Sequence, residues 1–194
     1  MRPTDNNTGA RSLREMYKRM QRSRRAGGAA LLVATLAGAL AASPSPVAAQ
    51  APDANDLAEG ARLFRQKGNC QACHGWAGDG RKLDSQMPDG ANLRETRLDR
   101  AALVMTIKCG LPGTGMPPFD KFAYSDGRCY GLKKADLEKA GQRMSDPPDT
   151  LQVREIETLV DFMFAKIIGK GPMNHARCIE FWGSEIQACE EFPN

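Results

Sequence analysis

Hydrophobic residues recur at helical spacing in two segments that lie far apart in the chain. Residues 53–68 carry an apolar stripe formed by Leu57, Gly60, Ala61 and Phe64. Asp53 stands where an N-cap is expected and Gly68 where a helix would end, so this segment predicts an amphipathic helix. Residues 154–167 carry a second stripe of this kind. Because no alternating run rich in Val, Ile and Thr occurs downstream, the pattern favours an all-α fold.

A third apolar segment, residues 27–42, has a different composition. It reads GGAALLVATLAGALAA, follows the basic sequence KRMQRSRR and precedes a break rich in Pro and Ser. This order is typical of a secretory signal peptide, and the small residues Val47 and Ala49 predict cleavage after Ala49. The alternative is an uncleaved membrane anchor, but the run is shorter than the roughly twenty residues that span a bilayer. We therefore expect residues 1–49 to be removed on export to the periplasm.

Removal of that segment changes the charge of the protein. The whole chain has 27 Lys and Arg against 23 Asp and Glu, a formal net charge of +4. Residues 1–49 hold eight of the basic and two of the acidic residues, which leaves 19 against 21 and a net charge of −2. The basic character therefore belongs to the export signal and gives no reason to expect nucleic-acid binding.

All six cysteines follow residue 49, and two of them lie in the sequence GNCQACHG at residues 68–75. Three kinds of site use such a motif: a redox dithiol, a zinc site and a covalent haem attachment. A thioredoxin-type dithiol belongs within alternating strands and helices, which this sequence lacks. A zinc site usually needs a second pair of ligands, but the one other histidine, His175, comes 101 residues after His74.

The motif Cys-x-x-Cys-His is the attachment signature of c-type haem. Positions i, i+3 and i+4 share one face of a helical turn. The thiols of Cys70 and Cys73 can therefore form thioethers with the vinyl groups of one porphyrin while the His74 imidazole reaches the iron. Together with an export signal, the motif predicts one covalently attached haem c that is bound by Cys70, Cys73 and His74.

An electron-transferring haem needs a second axial ligand, and His with Met is the high-potential pair found in cytochromes c. Met116 lies in CGLPGTGMPPF, a loop rich in Gly and Pro that cannot continue a helix and that suits an extended strap over a haem face. We therefore expect His74 and Met116 to be the two metal ligands. His175 is the principal alternative.

The other methionines that follow the export segment are less suitable ligands. Met87 is too near the ligand histidine in sequence to cross the macrocycle. Met105 and Met163 fall on predicted helices, where we expect core positions. Met144 and Met173 lie in polar loops and remain weaker alternatives.

Residues 55–168 resemble a class I, single-haem c-type cytochrome. In that family a Gly and an aromatic residue of the first helix pack where it crosses the last helix, which carries an aromatic residue of its own. Here EGARLFRQKGNCQACHG supplies Gly60 and Phe64, and REIETLVDFMFAKI supplies Phe162. The resemblance therefore implies that these two helices cross at these three residues.

Two further family motifs have counterparts in this chain. The Met-Pro of the family corresponds to Met116 and the proline after it. The family's Gly-Pro-x-Leu loop supplies a backbone carbonyl that accepts the proton on the second nitrogen of the ligand histidine. This chain has GANL at residues 90–93, so the resemblance assigns that role to Ala91 although the proline is absent.

The resemblance implies an all-α, cytochrome c-like domain of four or five helices around one haem c, spanning residues 50–168. The chain departs from small members of the family by an insertion at residues 120–149. Residues 169–194 form a C-terminal extension. The implied function is periplasmic one-electron transfer between redox proteins, with a dehydrogenase as donor and an oxidase or another cytochrome as acceptor.

Two alternative functions remain open. The chain could be the dedicated haem subunit of a periplasmic dehydrogenase, such as a quinoprotein alcohol dehydrogenase, that docks through its added segments. It could also be a ligand-binding or sensing haem protein in which Met116 is absent from the iron or easily displaced. The sequence has no paired-carboxylate, Ser-His-Asp or phosphate-binding loop pattern, so we do not expect an independent catalytic site.

Four cysteines lie outside the haem motif, and in an oxidising compartment they should pair. Three connectivities are possible. We favour Cys109 with Cys129 and Cys178 with Cys189, because each pair closes a short loop in a segment with little core of its own. A loop of about twenty residues gives roughly 3 kcal/mol by the chain-entropy estimate. The first bridge would hold the Met116 strap in place, although both bridges could simply secure the added loops.

Overall fold

The computed structural model describes residues 51–82 and 85–192, and within these ranges it is helical. No strand is formed there, and one isolated bridge pairs Cys129 with Leu132. The α-helices are α1 Ala54–Arg62, α2 Gln71–His74, α3 Arg100–Cys109, α4 Lys134–Lys139, α5 Val153–Lys166 and α6 His175–Trp182. The all-α prediction is confirmed. Five of these α-helices, α1 to α5, lie within residues 50–168, which agrees with the predicted four or five, and α6 belongs to the extension.

The first helix begins and ends as the sequence predicts. The Asp53 carboxylate accepts a hydrogen bond from the Asp56 backbone N–H at 2.9 Å, which makes Asp53 the N-cap. After α1 the chain widens into a π-helical turn, Leu63–Lys67, and the helix stops at Gly68. The sequence did not predict this wide turn. It buries its first two side chains and leads directly into the cysteine motif.

Helices α1 and α5 cross with their backbones in close contact. A β-carbon on Gly60 would lie 2.3 Å from Cβ of Phe162 and 2.8 Å from the carbonyl oxygen of Thr158, so a larger residue does not fit without movement. Phe64, in the π-helical turn that continues α1, has its ring centre 6.0 Å from that of Phe162. The predicted crossing of the first and last cytochrome helices is confirmed.

Ion pairs at the helix surfaces support the packing of α1 and α3 on α5. The Lys67 ammonium lies 2.7 Å from the Glu155 carboxylate. Arg100 of α3 donates to Glu157 at 2.6 Å and also to Asp161. Between the helices, thirteen buried residues form the principal core, in which each large apolar side chain contributes about 1.5–3 kcal/mol. They are Leu63, Phe64, Leu103, Ile107, Phe119, Leu151, Ile156, Leu159, Val160, Phe162, Met163, Ile167 and Ile168.

The insertion forms a second, smaller cluster beside the end of α3. Cys109, the last residue of α3, is bonded to Cys129, as predicted. Tyr124 and Leu137 are buried next to this bridge. The insertion is therefore folded onto the segment that leads into the Met116 strap.

The extension contains α6 and the second predicted disulfide, Cys178–Cys189. Four aromatic rings, called here the aromatic cluster, pack on one another beside this bridge and join the extension to the rest of the described chain. They are Trp76, Phe181, Trp182 and Phe192. The ring centre of Trp76, which follows the haem motif, lies 5.4 to 5.9 Å from those of the other three.

The predicted export segment, residues 1–49, lies outside the described residues. The longest helix of the described part is α5, with 14 residues. Within this part, no helix has both the length and the apolar composition needed to cross a bilayer.

Candidate haem-binding site

The cysteine motif forms a single helical turn. Cys70 has helical backbone angles, and its carbonyl oxygen accepts a hydrogen bond from the His74 backbone N–H at 2.9 Å. This turn puts Cys70, Cys73 and His74 on one face, as their spacing predicted. Gly75 then ends the turn at φ +76°, where a β-carbon would lie 2.6 Å from the Arg81 carbonyl oxygen.

The turn is fixed directly to the end of the first helix. The Gly68 N–H donates to the Leu63 carbonyl and the Cys70 N–H donates to the Phe64 carbonyl, each at 2.8 Å. Between them Asn69 has φ +45°, a left-handed conformation that Asn tolerates better than most side chains. The position of the first motif cysteine therefore depends on Phe64, which is buried at the crossing of α1 and α5.

The imidazole of His74 is oriented by a backbone carbonyl. Its Nδ1 lies 2.8 Å from the carbonyl oxygen of Ala91. A carbonyl can only accept, so Nδ1 carries the proton and Nε2 is left with a lone pair for a metal. Burial lowers the pKa of His74 in spite of this hydrogen bond, which favours the neutral, ligating form. The predicted acceptor role of Ala91 is confirmed.

Gly90 allows the acceptor loop to lie against the motif. A β-carbon at this position would be 2.6 Å from the Cys73 carbonyl oxygen and 2.8 Å from Nδ1 of His74. The Gly90 N–H also donates to the Cys73 carbonyl at 3.1 Å. The glycine of GANL thus brings the next carbonyl within reach of the imidazole, and the missing proline of the family pattern does not prevent it.

The strap that carries Met116 is a closed loop. Gly110 leaves α3 at φ +60°, and the Leu111 N–H donates to the Met116 carbonyl at 3.1 Å. The Met116 N–H in turn donates to the Thr114 hydroxyl at 3.1 Å. The Met116 side chain is half-buried and packs against the principal core, which Cys70 also borders.

The strap also meets the loop before the histidine acceptor. A β-carbon on Gly115 would lie 2.4 Å from the ring of Pro88, so these two segments are in close contact. The segment that carries Met116 and the segment that leads to Ala91 therefore come together in the fold. Their sequence separation gave no sign of this contact.

The other candidate axial ligands lie outside the strap. Met163 is buried in the principal core, as its helical position predicted. Met105 and Met144 pack on the cluster around the Cys109–Cys129 bridge, and Met173 packs on the cluster around the Cys178–Cys189 bridge. His175 lies in the extension, with Nε2 3.0 Å from a Glu185 carboxylate oxygen.

Two tyrosines of the insertion were not anticipated as parts of the site. The Tyr124 hydroxyl donates to the Cys109 carbonyl at 2.7 Å, and the Tyr130 hydroxyl donates to the Gly110 carbonyl at 2.9 Å. Burial raises the pKa of both phenols, so both remain donors at neutral pH. They hold the two residues from which the strap departs. The sequence signal that could have indicated this role is that both tyrosines lie within five residues of Cys129.

The surroundings of Cys70 do not suit a redox dithiol. Desolvation raises the pKa of the Cys70 thiol to about 12, whereas a reactive dithiol needs a thiolate near neutral pH. A zinc site would need more ligands nearby. In the part of the chain that is described, no three His, Cys, Asp or Glu side chains gather as metal ligands would.

Comparison with known proteins bears on the same residues. The family model described as Cytochrome C oxidase, cbb3-type, subunit III, matches residues 55–133, a range that includes the motif, the GANL loop and the strap. This match supports a c-type cytochrome domain in that range. A search of curated proteins and a search of solved structures each found no match. The matched range ends before α4, so it does not include the last two helices of the predicted domain at residues 50–168.

The residues present in this cytochrome domain fit a haem c. The helical turn aligns two sulfurs and one imidazole, the Ala91 carbonyl selects the tautomer that can bind iron, and Gly90 removes the bulk that would block this contact. A thioether sulfur on a Gly- and Pro-rich strap supplies a soft donor. Cys70, Cys73, His74 and Met116 are the residues that would hold the group.

Proposed function

We propose that this protein is a periplasmic one-electron carrier with one covalently attached haem c. Cys70 and Cys73 would anchor the haem, and His74 and Met116 would be its axial ligands. When bound, the haem supplies an iron that alternates between the ferric and ferrous states. The hydrogen bond from His74 Nδ1–H to the Ala91 carbonyl carries the proposal, because it leaves Nε2 for iron and stiffens the imidazole.

The protein would orient the axial ligands and exclude water from the haem site. The Ala91 carbonyl increases the basicity of His74, while the soft sulfur of Met116 favours the ferrous state. The principal core beside Cys70 and Met116 excludes water, which reduces the reorganisation that accompanies a change of iron charge. These are the properties that a one-electron carrier would need from the residues around a haem.

Export to the periplasm is part of the proposal. It rests on the three-part N-terminal segment with the predicted cleavage after Ala49. It is supported by the two disulfides, which persist in oxidising compartments. The expected partners are a dehydrogenase as electron donor and an oxidase or a second cytochrome as acceptor.

A second candidate function is that of a haem subunit within a larger redox enzyme. The matched family model is described as an oxidase subunit, and the chain adds an insertion and an extension that could be docking surface. A periplasmic dehydrogenase of the quinoprotein alcohol type would be served by the same chemistry. Copurification of the tagged, exported protein with a dehydrogenase or oxidase in fixed stoichiometry would favour this candidate over a free carrier.

Visible spectroscopy of the purified haem-loaded protein tests the ligand assignment. We expect the ferric form to show the Met-to-iron charge-transfer band and the ferrous form not to bind carbon monoxide readily at neutral pH. In Met116→Leu the band should disappear and carbon monoxide should bind, while the matched control Met144→Leu should behave as the unaltered protein. An unaltered protein that lacks the band and binds carbon monoxide would instead support the ligand-binding or sensing alternative.

A further inference from the structure

A cavity lined mainly by positive charge lies between the end of α5 and the extension. Its volume is about 300 Å³, and four of its lining residues are cations, Arg94, Lys166, Lys170 and Arg177. The acidic lining residue is Glu180, and the rest of the wall is Ala165, Gly169 and Phe181. The wall therefore carries a formal charge of +3.

Arg94 is buried in this wall, and the carboxylates that act on it, Asp79 and Glu180, do so from a distance and not as hydrogen-bonded partners. It is 3% exposed, its Nε donates to the Gly171 carbonyl at 2.6 Å, and one terminal nitrogen donates to the Ala77 carbonyl at 3.3 Å. Both acceptors are neutral, so these bonds satisfy N–H groups without neutralising the charge of the guanidinium. A buried charge is costly unless an opposite charge accompanies it.

The other three cations lack carboxylate partners as well. Among residues 51–82 and 85–192, no ion pair within 4.0 Å includes any of the four cations of the cavity. Arg177 donates to the Pro172 carbonyl at 2.6 Å and lies beside Gly171, the residue that accepts from Arg94. Burial and then the like charge of Arg177 lower the pKa of Arg94, and the charges of Asp79 and Glu180 oppose this shift only in part. The two guanidinium groups thus repel one another across a short segment of the extension.

We propose that this cavity binds a small multivalent oxyanion of the phosphate or sulfate type. Guanidinium and ammonium groups form charge-assisted hydrogen bonds with such oxygens, and Arg matches their geometry. The volume is at the small end of ligand pockets and suits a compact ion with some of its water. Space is available, because a β-carbon on Gly169 would meet no atom within 4 Å.

The site is separate from the residues proposed to hold haem. Its cations come from the loop after GANL, from the end of α5 and from the extension, and none belongs to the cysteine motif or the strap. A bound oxyanion would offset the repulsion between Arg94 and Arg177 and would join the extension to α5. Anion binding should therefore stabilise the attachment of the extension without altering the axial ligands.

Calorimetric titration of the purified haem-loaded protein tests this proposal. Inorganic phosphate and sulfate are titrated in separate experiments, with sodium chloride holding the ionic strength constant. The comparison uses Arg177→Gln and Lys170→Gln, with Lys139→Gln at an exposed lysine of α4 as the charge-matched control. We expect saturable one-to-one binding to the unaltered protein and to the control, and a Kd about tenfold higher in Arg177→Gln.

Arg177→Gln could disturb the extension, because the Arg177 side chain donates to the Pro172 carbonyl. Lys170→Gln avoids this difficulty, because Lys170 is exposed and its side chain forms no such hydrogen bond within the described residues. Its Kd should also rise, and phosphate should raise the melting temperature of the unaltered protein more than that of this variant. The visible spectrum should stay constant throughout. Absence of saturable binding of both anions to the unaltered protein overturns the proposal, as does equal binding by Lys170→Gln and the control. A preference for one anion identifies which of the two chemistries the cavity takes.

Discussion

Gly60 and Gly90 occupy places where a β-carbon would collide with a neighbouring group, and each brings two parts of the molecule together. At Gly60 the neighbour is Phe162 of α5, so the absence of a side chain allows the two helices to touch. At Gly90 the neighbour is the carbonyl oxygen of Cys73, so the loop can present Ala91 to the imidazole. Gly60 thus allows the close packing of α1 on α5, and Gly90 allows the contact that orients the His74 imidazole.

Replacement of Gly60 tests the crossing. Gly60→Ala improves helix propensity by about 1 kcal/mol, but its methyl group would lie 2.3 Å from Cβ of Phe162 and force the helices apart. We expect a net loss of about 1–3 kcal/mol in the free energy of unfolding, measured by denaturant titration of the haem-loaded protein. Ala58→Ser, on the exposed side of α1, should change stability by less than about 0.5 kcal/mol. Equal stability of the two variants would contradict this account of the crossing.

The strap is the element on which the proposed iron ligation depends, and the insertion holds it. The Cys109–Cys129 disulfide and the hydroxyls of Tyr124 and Tyr130 all attach to its first two residues. The other disulfide, Cys178–Cys189, lies in the extension and has no part in this arrangement. The two bridges therefore provide a matched comparison between holding the strap and holding a loop elsewhere.

Removal of each bridge should separate these roles. Each pair of Cys→Ser substitutions should cost about 3 kcal/mol of global stability, because loop entropy depends only on the logarithm of loop length and the sequence separations are 20 and 11. Loss of Cys109–Cys129 should additionally lower the temperature at which the ferric Met-to-iron charge-transfer band disappears, well before the helices unfold. This band and far-ultraviolet circular dichroism are followed on heating. If the band and the helices melt together in both variants, the bridges only secure the added loops.

At the scale of the whole molecule, the extension is attached to the cytochrome part by aromatic packing as well as by charge. Trp76, two residues after the candidate iron ligand His74, contacts three rings of the extension. The guanidinium of Arg65 lies 4.3 Å from the ring centre of Trp182, a cation–π contact between the π-helical turn and α6. The extension is thus packed against residues that precede and follow the haem motif.

Truncation of Trp76 should loosen this attachment. Trp76→Ala removes the central ring of the aromatic cluster. Because this side chain is half-buried, we expect the free energy of unfolding to fall by about 2 kcal/mol. Tryptic cleavage after Lys170 and Arg177, followed by mass spectrometry, should become several-fold faster. The control Phe122→Ala removes a ring that is 50% exposed and should leave the cleavage rate unchanged. Cleavage at the unaltered rate in Trp76→Ala would show that other contacts hold the extension.

Much of the fold could be predicted because it depends on local pattern. The stripe, Asp53 and Gly68 predicted α1, and Gly60, Phe64 and Phe162 predicted its crossing partner through the cytochrome resemblance. The local disulfide pairs followed from loop length. The π-helical turn did not follow, because its wide geometry is set by packing of its first two residues in the core.

The sequence by itself determined the chemistry of the candidate site, because Cys-x-x-Cys-His specifies its own geometry within one helical turn and needs only local hydrogen bonds to form it. Tertiary structure alone decided what surrounds that turn. The hydroxyl of Tyr130 reaches the Gly110 carbonyl from 20 residues away, and Gly115 of the strap lies against the ring of Pro88. The cavity of Arg94 and its three companion cations is assembled from three separate segments. Such juxtapositions depend on how distant elements pack, and no spacing along the chain encodes them.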